Sequence, residues 1–165
     1  MLKEWAEALC LVGALIGSSF GIAAEHVTPM TSECIQKAAS SYSIHPDVLY
    51  AILMVEGGTV GKNSKPNTNG SYDIGPAQIN SMHRARLAAL NISEDELRNN
   101  GCTNITVAAW HLSTVLTTDV LQSVTDQESY LRAIARYHSA TPIYNEIYAG
   151  KLRAAFAVMY SGENK

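Results

Sequence analysis

From Ile105 to Leu116 the apolar side chains Ile105, Ala108, Ala109, Leu112, Val115 and Leu116 recur at the spacing that lines one face of an α-helix. A stripe that wide must be covered by other elements, so the run predicts a central helix with a helical fold packed around it. Most of the chain fits that frame. Ser32 reads as the N-cap of a first helix with Ile35, Ala38, Ala39 and Tyr42 on one face. Pro46 suits the first turn of a second, whose Leu49, Ile52, Leu53 and Glu56 share a face until Gly57-Gly58 stops it. After Ile79, Met82, Ala85 and Ala89 resume a helical pattern. Ser93 and Glu96 form a capping-box pattern for a short helix that Asn99-Asn100-Gly101 ends. Asp126 caps a helix carrying Leu131, Ile134, Ala135 and His138, and Thr141-Pro142 opens a last one with Tyr144, Tyr148, Leu152, Phe156 and Met159 aligned.

The stretch from Thr59 to Gly75 has no helical period. It is rich in Gly, Asn, Ser, Lys and Pro, with a hint of extended structure around Ser71 to Ile74. Loops of that length inside a compact domain are usually functional or disordered. The fold class is therefore mainly α, a single domain with a long polar loop or small hairpin beside the second helix.

A chain of 165 residues with 47% apolar content buries one core comfortably and two poorly. The net charge of −3, with no run of Lys or Arg, supplies no cationic footprint for nucleic acid or an anionic membrane. Ala8 to Ala24 is almost free of charge and reads as the apolar region of an export signal, with Gly21 and Ala23 at the small-residue positions of a cleavage site. Residues 1–24 are accordingly assigned to a signal peptide, an uncleaved anchor being the alternative, and residues 25–165 to the domain. Loss of the leader removes Cys10 and leaves Cys34 and Cys102. In an oxidising compartment two cysteines suggest one disulfide, worth roughly 4 kcal/mol on the chain-entropy model; two separate buried thiols are the other reading.

Glu56 closes the apolar segment Ala51-Ile52-Leu53-Met54-Val55. Desolvation there raises a carboxyl pKa, and the negative end of the helix dipole acts in the same direction. Both favour the protonated acid that donates a proton to a leaving glycosidic oxygen. An exposed helix-end Glu would carry no such role, so its sequence company decides.

That company is ordered. Glu56 is followed by Asn69-Gly70-Ser71-Tyr72-Asp73-Ile74, then Gly75-Pro76-Ala77-Gln78-Ile79-Asn80-Ser81, then Cys102-Thr103-Asn104-Ile105, then Ile134-Ala135-Arg136-Tyr137-His138-Ser139. The series resembles the lytic transglycosylases of the goose-type lysozyme superfamily, from Cys34 to about Tyr148. The resemblance implies a lysozyme-like domain in the bacterial periplasm that acts on peptidoglycan glycan strands. It implies Glu56 as acid and then base, with Gln78 and Tyr137 around the substrate and the Glu carboxyl. Ser71 and the backbone near Gly75 would flank the cleft. Non-hydrolytic cleavage, in which the muramyl 6-hydroxyl attacks and a 1,6-anhydro end forms, follows from the same likeness.

The sequence departs from the family at three places. Gly57 stands where a Ser is usual, Pro76-Ala77 replace two large apolar residues and so predict a wider cleft, and His138 follows Tyr137 where an Asn is usual. The Glu-Gly-Gly and Tyr-His-Ser wording resembles members encoded with conjugation or type IV secretion systems, which would make channel proteins of such a system partners. Asp73 is either a second carboxylate for hydrolysis or, as Asp in a Gly-Ser-Tyr-Asp turn more often is, a turn brace. Two other functions stay open: a water-using muramidase, and a weakly active lysozyme-like module that recruits secretion components to the wall.

His26, His45, His83, His111 and His138 are scattered without His-Glu-x-x-His or Cys-x-x-Cys spacing, so neither a metal nor a cofactor is expected. His111 reads as a surface or core-edge residue. Tyr144 and Tyr148 could stack on sugar rings, but their helical spacing favours core packing.

Overall fold

The computed structural model describes residues 26–161. The predicted signal peptide, and with it the choice between cleavage and anchoring, lies outside them. Eight α-helices and one two-stranded antiparallel hairpin make up the described residues. In chain order these are α1 (Ser32–Ser41), α2 (Pro46–Glu56), β1 (Asp73–Ile74), β2 (Ile79–Asn80), a 3-10 turn at Ser81–His83, α3 (Arg84–Ala88), α4 (Glu94–Asn99), α5 (Gly101–Val115), α6 (Thr118–Gln122), α7 (Gln127–Ala135) and α8 (Pro142–Ser161). The mainly α reading with a small hairpin beside the second helix holds.

Helix α5 is the central element, packed against α1, α4 and α2. Ile105, Ala108, Ala109 and Leu112 are fully buried, as their spacing predicts. Helix α2 lies against α1 on one side and α8 on the other, and α7 packs along α8. Leu49, Ile52, Ile134 and Leu152 fill the space between these layers without solvent contact. Completely burying side chains of this size stabilises the fold by about 1.5–3 kcal/mol each.

Local signals explain most boundaries. Pro46 occupies the first turn of α2, and Gly57 ends it in the left-handed conformation, φ 61°, its N–H bonded to the Leu53 carbonyl. Asp126 caps α7 through the Ser129 N–H at 2.7 Å. Ser93 caps α4 through the Glu96 N–H at 3.0 Å, while the Glu96 carboxylate turns forward to accept from Asn100 and Thr103, both at 2.8 Å, and so ties α4 to α5.

Three local expectations are corrected. The cap of α1 is Thr31, whose extended backbone puts its hydroxyl 3.3 Å from the Cys34 N–H, and Ser32 takes the first helical position. Met82, Ala85 and Ala89 do not face the core: all three are exposed, and Leu87 is the buried residue. The 3-10 turn that precedes α3 advances three residues per turn instead of 3.6, which rotates the apolar phase away from the one read through the segment. Helix α7 stops at Ala135, so His138 lies in the turn beyond it and not on the helix.

Cys34 near the start of α1 and Cys102 in the first turn of α5 are joined by a disulfide with Cα atoms 5.4 Å apart. It closes a loop of 68 residues and pins the two helices that form one side of the core.

Candidate functional site

Helix α2 ends at an open cavity of about 390 Å³. Glu56, the last residue of α2, faces it together with Asp73 from β1, Gln78 from the hairpin turn, and Tyr137 and His138 from the turn after α7. Five of the residues singled out in the sequence therefore share one cavity. Ser71 does not line it. The Ser71 hydroxyl donates to Asn69 at 2.7 Å and accepts from Asn67 and Asn80 at 3.1 Å each, which braces the polar loop behind the cavity.

Burial is the largest influence on Glu56 and pushes its carboxyl up to about 6. A hydrogen bond from Tyr148 opposes the rise, Asp73 adds to it, and Lys151 weakly opposes it. Tyr148, on α8, donates its hydroxyl to Glu56 Oε1 at 2.6 Å. That tyrosine is otherwise a core residue, 2% exposed, and the loss of water together with the neighbouring carboxylate pushes its phenol far up, so it remains a donor at any working pH. The His138 ring lies parallel to the Tyr148 ring, 4.9 Å between centroids and 3° between planes. Burial and Lys151 lower the His138 pKa.

The hairpin turn is set by Asn104 of α5. Its side chain is fully buried, yet every polar atom is used: Oδ1 accepts from the Ala77 N–H at 2.9 Å, and Nδ2 donates to the Ile74 carbonyl at 2.9 Å and the Leu97 carbonyl at 3.0 Å. Tyr137 adds a fourth restraint by donating its hydroxyl to the Ala77 carbonyl at 2.7 Å. Gln78, held at φ 50°, folds its Nε2 back onto the Gly75 carbonyl at 2.7 Å. The loop after α2 closes on this turn at Gly58, where a Cβ would stand 2.1 Å from the Gly75 carbonyl oxygen. Only a glycine permits that approach. Pro76 and Ala77 are buried in the turn and neither lines the cavity.

The Asp73 carboxylate accepts from Asn80 at 2.8 Å and from Asn67 at 3.4 Å. It thus clasps the hairpin and the polar loop through side-chain amides, and presents to the cavity from there.

Reading the sequence alone misses Tyr148 as a partner of Glu56 and misses His83 and His111 as cavity residues. The aligned positions of α8 signalled that Tyr148 is buried, but not that its hydroxyl needs an acceptor there. His111 is half-buried on α5, with Nε2 3.1 Å from the Tyr137 carbonyl. Its ring centroid lies 4.9 Å from that of His83.

The profile of the transglycosylase SLT domain matches residues 33–141, which is more than half of the chain. Similar proteins include the invasion protein IagB of Salmonella typhimurium (strain SL1344), 34% identical over 85 residues that cover 52% of this chain and 53% of that protein. The peptidoglycan-binding-like protein of Escherichia coli O157:H7 is 37% identical over 84 residues, 47% of this chain and 50% of its own. Protein IpgF of Shigella flexneri is 36% identical over 78 residues, 47% of this chain and 51% of its own. The chain spans about half the length of the curated relatives it matches. These relatives overturn the narrower expectation of members tied to conjugation or type IV secretion. The Glu-Gly-Gly wording that suggested it has a local physical reason instead, since Gly57 ends α2 in a left-handed turn and Gly58 meets the Gly75 carbonyl. With the matched span running from α1 to the residue before α8, the chain belongs to the transglycosylase SLT domain family.

Proposed function

We propose that the protein is a peptidoglycan lytic transglycosylase that cleaves the MurNAc-GlcNAc bond of glycan strands and leaves a 1,6-anhydro-MurNAc end. The observation that carries the proposal is Glu56: a carboxyl brought to about 6 by burial, held on one oxygen by Tyr148, and open to a cavity of saccharide size. Near pH 6 such a group is available in both protonation states, which is what a single residue needs to serve as acid and then base.

In the first step the Glu56 proton passes to the leaving glycosidic oxygen, while the substrate's acetamido group stabilises the oxocarbenium-like carbon. Glu56, now ionised, then takes the proton of the muramyl 6-hydroxyl as that oxygen attacks. Tyr148 fixes Oε1 throughout, and its donated hydrogen bond favours the ionised form that the second step requires. Gln78, Tyr137 and His138 bound the cavity as substrate contacts. The site of action is the cell envelope, in the periplasm. In this reading the cleavage opens the wall locally for an envelope-spanning apparatus, and one similar protein is named an invasion protein.

A hydrolytic muramidase is the second reading, and Asp73 favours it because a second carboxylate faces the same cavity. Digestion of purified sacculi separates the two. Anhydro muropeptides, one water lighter than reducing ones, support the transglycosylase; reducing ends support the muramidase. If wild type and Glu56→Gln release the same products at the same rate, both enzymatic readings fail.

A further inference from the structure

One wall of the cavity is built from short segments. Asn67 of the polar loop, Asp73 of β1 and Asn80 of β2 line it, and each of the two strands is only two residues long. A two-stranded hairpin is marginal by itself in water, so this wall takes its position from what fastens it outside. The polar loop widens it by one strip: the Ser64 N–H donates to the Asp73 carbonyl at 2.7 Å and the Gly75 N–H to the Lys62 carbonyl at 2.9 Å. Tyr72 lengthens it by one rung. Its carbonyl accepts from the Ser81 N–H at 2.7 Å, and its own N–H donates to the Ser81 hydroxyl at 3.1 Å.

The outer side of the wall converges on one carboxylate. The Tyr72 hydroxyl donates toward both oxygens of Glu94, the first residue of α4, at 2.8 and 2.9 Å. Arg84 of α3 donates to Glu94 Oε2 at 3.0 Å, to the Tyr72 hydroxyl at 3.2 Å and, through Nε, to the Ser81 carbonyl at 3.2 Å. Asn63 of the polar loop reaches Glu94 Oε1 at 3.5 Å, and Arg98 Nη1 lies 3.8 Å from the same oxygen. Loop, hairpin and α3 are thus tied to α4 at a single point.

Burial acts to raise the Glu94 pKa, but the hydrogen bonds from Tyr72 and Arg84 outweigh it and hold the carboxyl below the usual carboxylate range. The clasp is therefore ionised while Glu56 titrates at about 6. Asn63, Tyr72, Arg84 and Glu94 do not line the cavity, so whatever they do for the site passes through the wall. The restraints on Glu56 come from elsewhere, from α2 and from Tyr148 of α8.

We propose that Glu94 is a positioning residue for glycan binding: through Tyr72, Arg84 and Asn63 it holds the wall that presents Asn67, Asp73 and Asn80, and it sets affinity for the strand without entering the chemical step. This rests on the glycan-cleaving reading above. Release of the clasp loosens contacts that the wall makes alike in the ground state and the transition state. Such a loss raises KM and leaves kcat in place.

The test compares the wild-type chain with Tyr72→Phe, Glu94→Ala, the two combined, and Glu94→Gln, which keeps one acceptor oxygen for Tyr72. Arg153→Gln serves as the control, since it breaks an exposed ion pair with Glu128 that joins α7 to α8 instead of the wall. Cleavage of soluble, uncross-linked peptidoglycan strands gives KM and kcat. Tyr72→Phe and Glu94→Ala each raise KM by about tenfold, the scale of one charge-assisted hydrogen bond, with kcat within about twofold of the wild type. The combined variant is no worse than Glu94→Ala, because both substitutions remove one shared contact. Glu94→Gln falls between Glu94→Ala and the wild type, and Arg153→Gln matches the wild type. Amide hydrogen exchange reads the wall directly: protection at Ser64, Gly75 and Ser81 falls in Tyr72→Phe and Glu94→Ala while that of α5 holds. Unchanged KM and unchanged exchange in Glu94→Ala overturn the proposal. So does a fall in kcat at constant KM, or a loss of protection that extends through α5. If the wild type cleaves nothing, the glycan reading fails, and the exchange comparison still decides whether Glu94 fastens the wall.

Discussion

At one end of the cavity burial acts on an acid, Glu56, and at the other on two bases, His83 and His111. The same loss of water raises the first and lowers the others. Desolvation always disfavours the charged form, so its sign on a pKa depends only on which form carries the charge. Both ends are thereby drawn toward neutrality, but they differ in what restrains them. Glu56 is gripped by a buried tyrosine hydroxyl, whereas the imidazoles lie against each other, the Tyr137 carbonyl and ring, and the Trp110 ring.

The largest expected effect breaks the acid end outright. Glu56→Gln keeps the shape and removes the proton, and we expect glycan cleavage to fall by about 10²–10⁴, read as muropeptide release. Next comes the residue that ties the hairpin turn to α5. Asn104→Leu leaves the Ala77 N–H and the Ile74 and Leu97 carbonyls without partners in the core, an expected loss of about 3 kcal/mol or more of unfolding free energy, read from denaturant titration.

Tyr148→Phe removes only a hydroxyl. Because its hydrogen bond lowers the Glu56 pKa, the alkaline limb of the pH-rate profile should move upward, with turnover down by about tenfold. A limb that stays in place would show that Tyr148 does not tune the acid.

Stability against pH sharpens the contrast further. Glu56 titrates near 6 in the folded chain against 4.5 when unperturbed, so the fold loses about 1–2 kcal/mol as pH rises through that window. Glu56→Gln should therefore be more stable than wild type near neutrality, with the gain gone below the lower value. The histidines act with the opposite sign, since depressed folded pKa values cost stability as pH falls through the ordinary 6.5. A His83→Gln, His111→Gln protein should then show the acid-side gain unmasked. Thermal melting across pH 4 to 8 reads both slopes, and slopes of the same sign would refute the pairing.

The acid end was legible largely because its determinants are local. Pro46, the apolar run and Gly57 lie within one helix and its cap, and together they place Glu56 at a desolvated terminus. Its tyrosine partner was not legible, because 92 residues separate Tyr148 from Glu56 and a helical stripe records burial without recording what a hydroxyl touches. The imidazole end escaped for a related reason. His83 closes a 3-10 turn that shifts the helical phase, and His111 sits on the rim of the central stripe, so neither position carries a periodic signal. Helix α6 buries no side chain and leaves no pattern at all.

The two glycines after Glu56 resist change in unlike ways, and that difference sets which substitutions each position can accept. At Gly57 a Cβ would meet nothing within 4 Å, so the family's usual serine would fit there at the cost of a left-handed backbone, about 1–2 kcal/mol. At Gly58 any side chain would strike the Gly75 and Pro76 carbonyls that shape the hairpin turn. Position 57 is thus a place where this chain can be varied beside Glu56, and position 58 is a fixed seam: no side chain enters there without rebuilding the turn that walls the cavity.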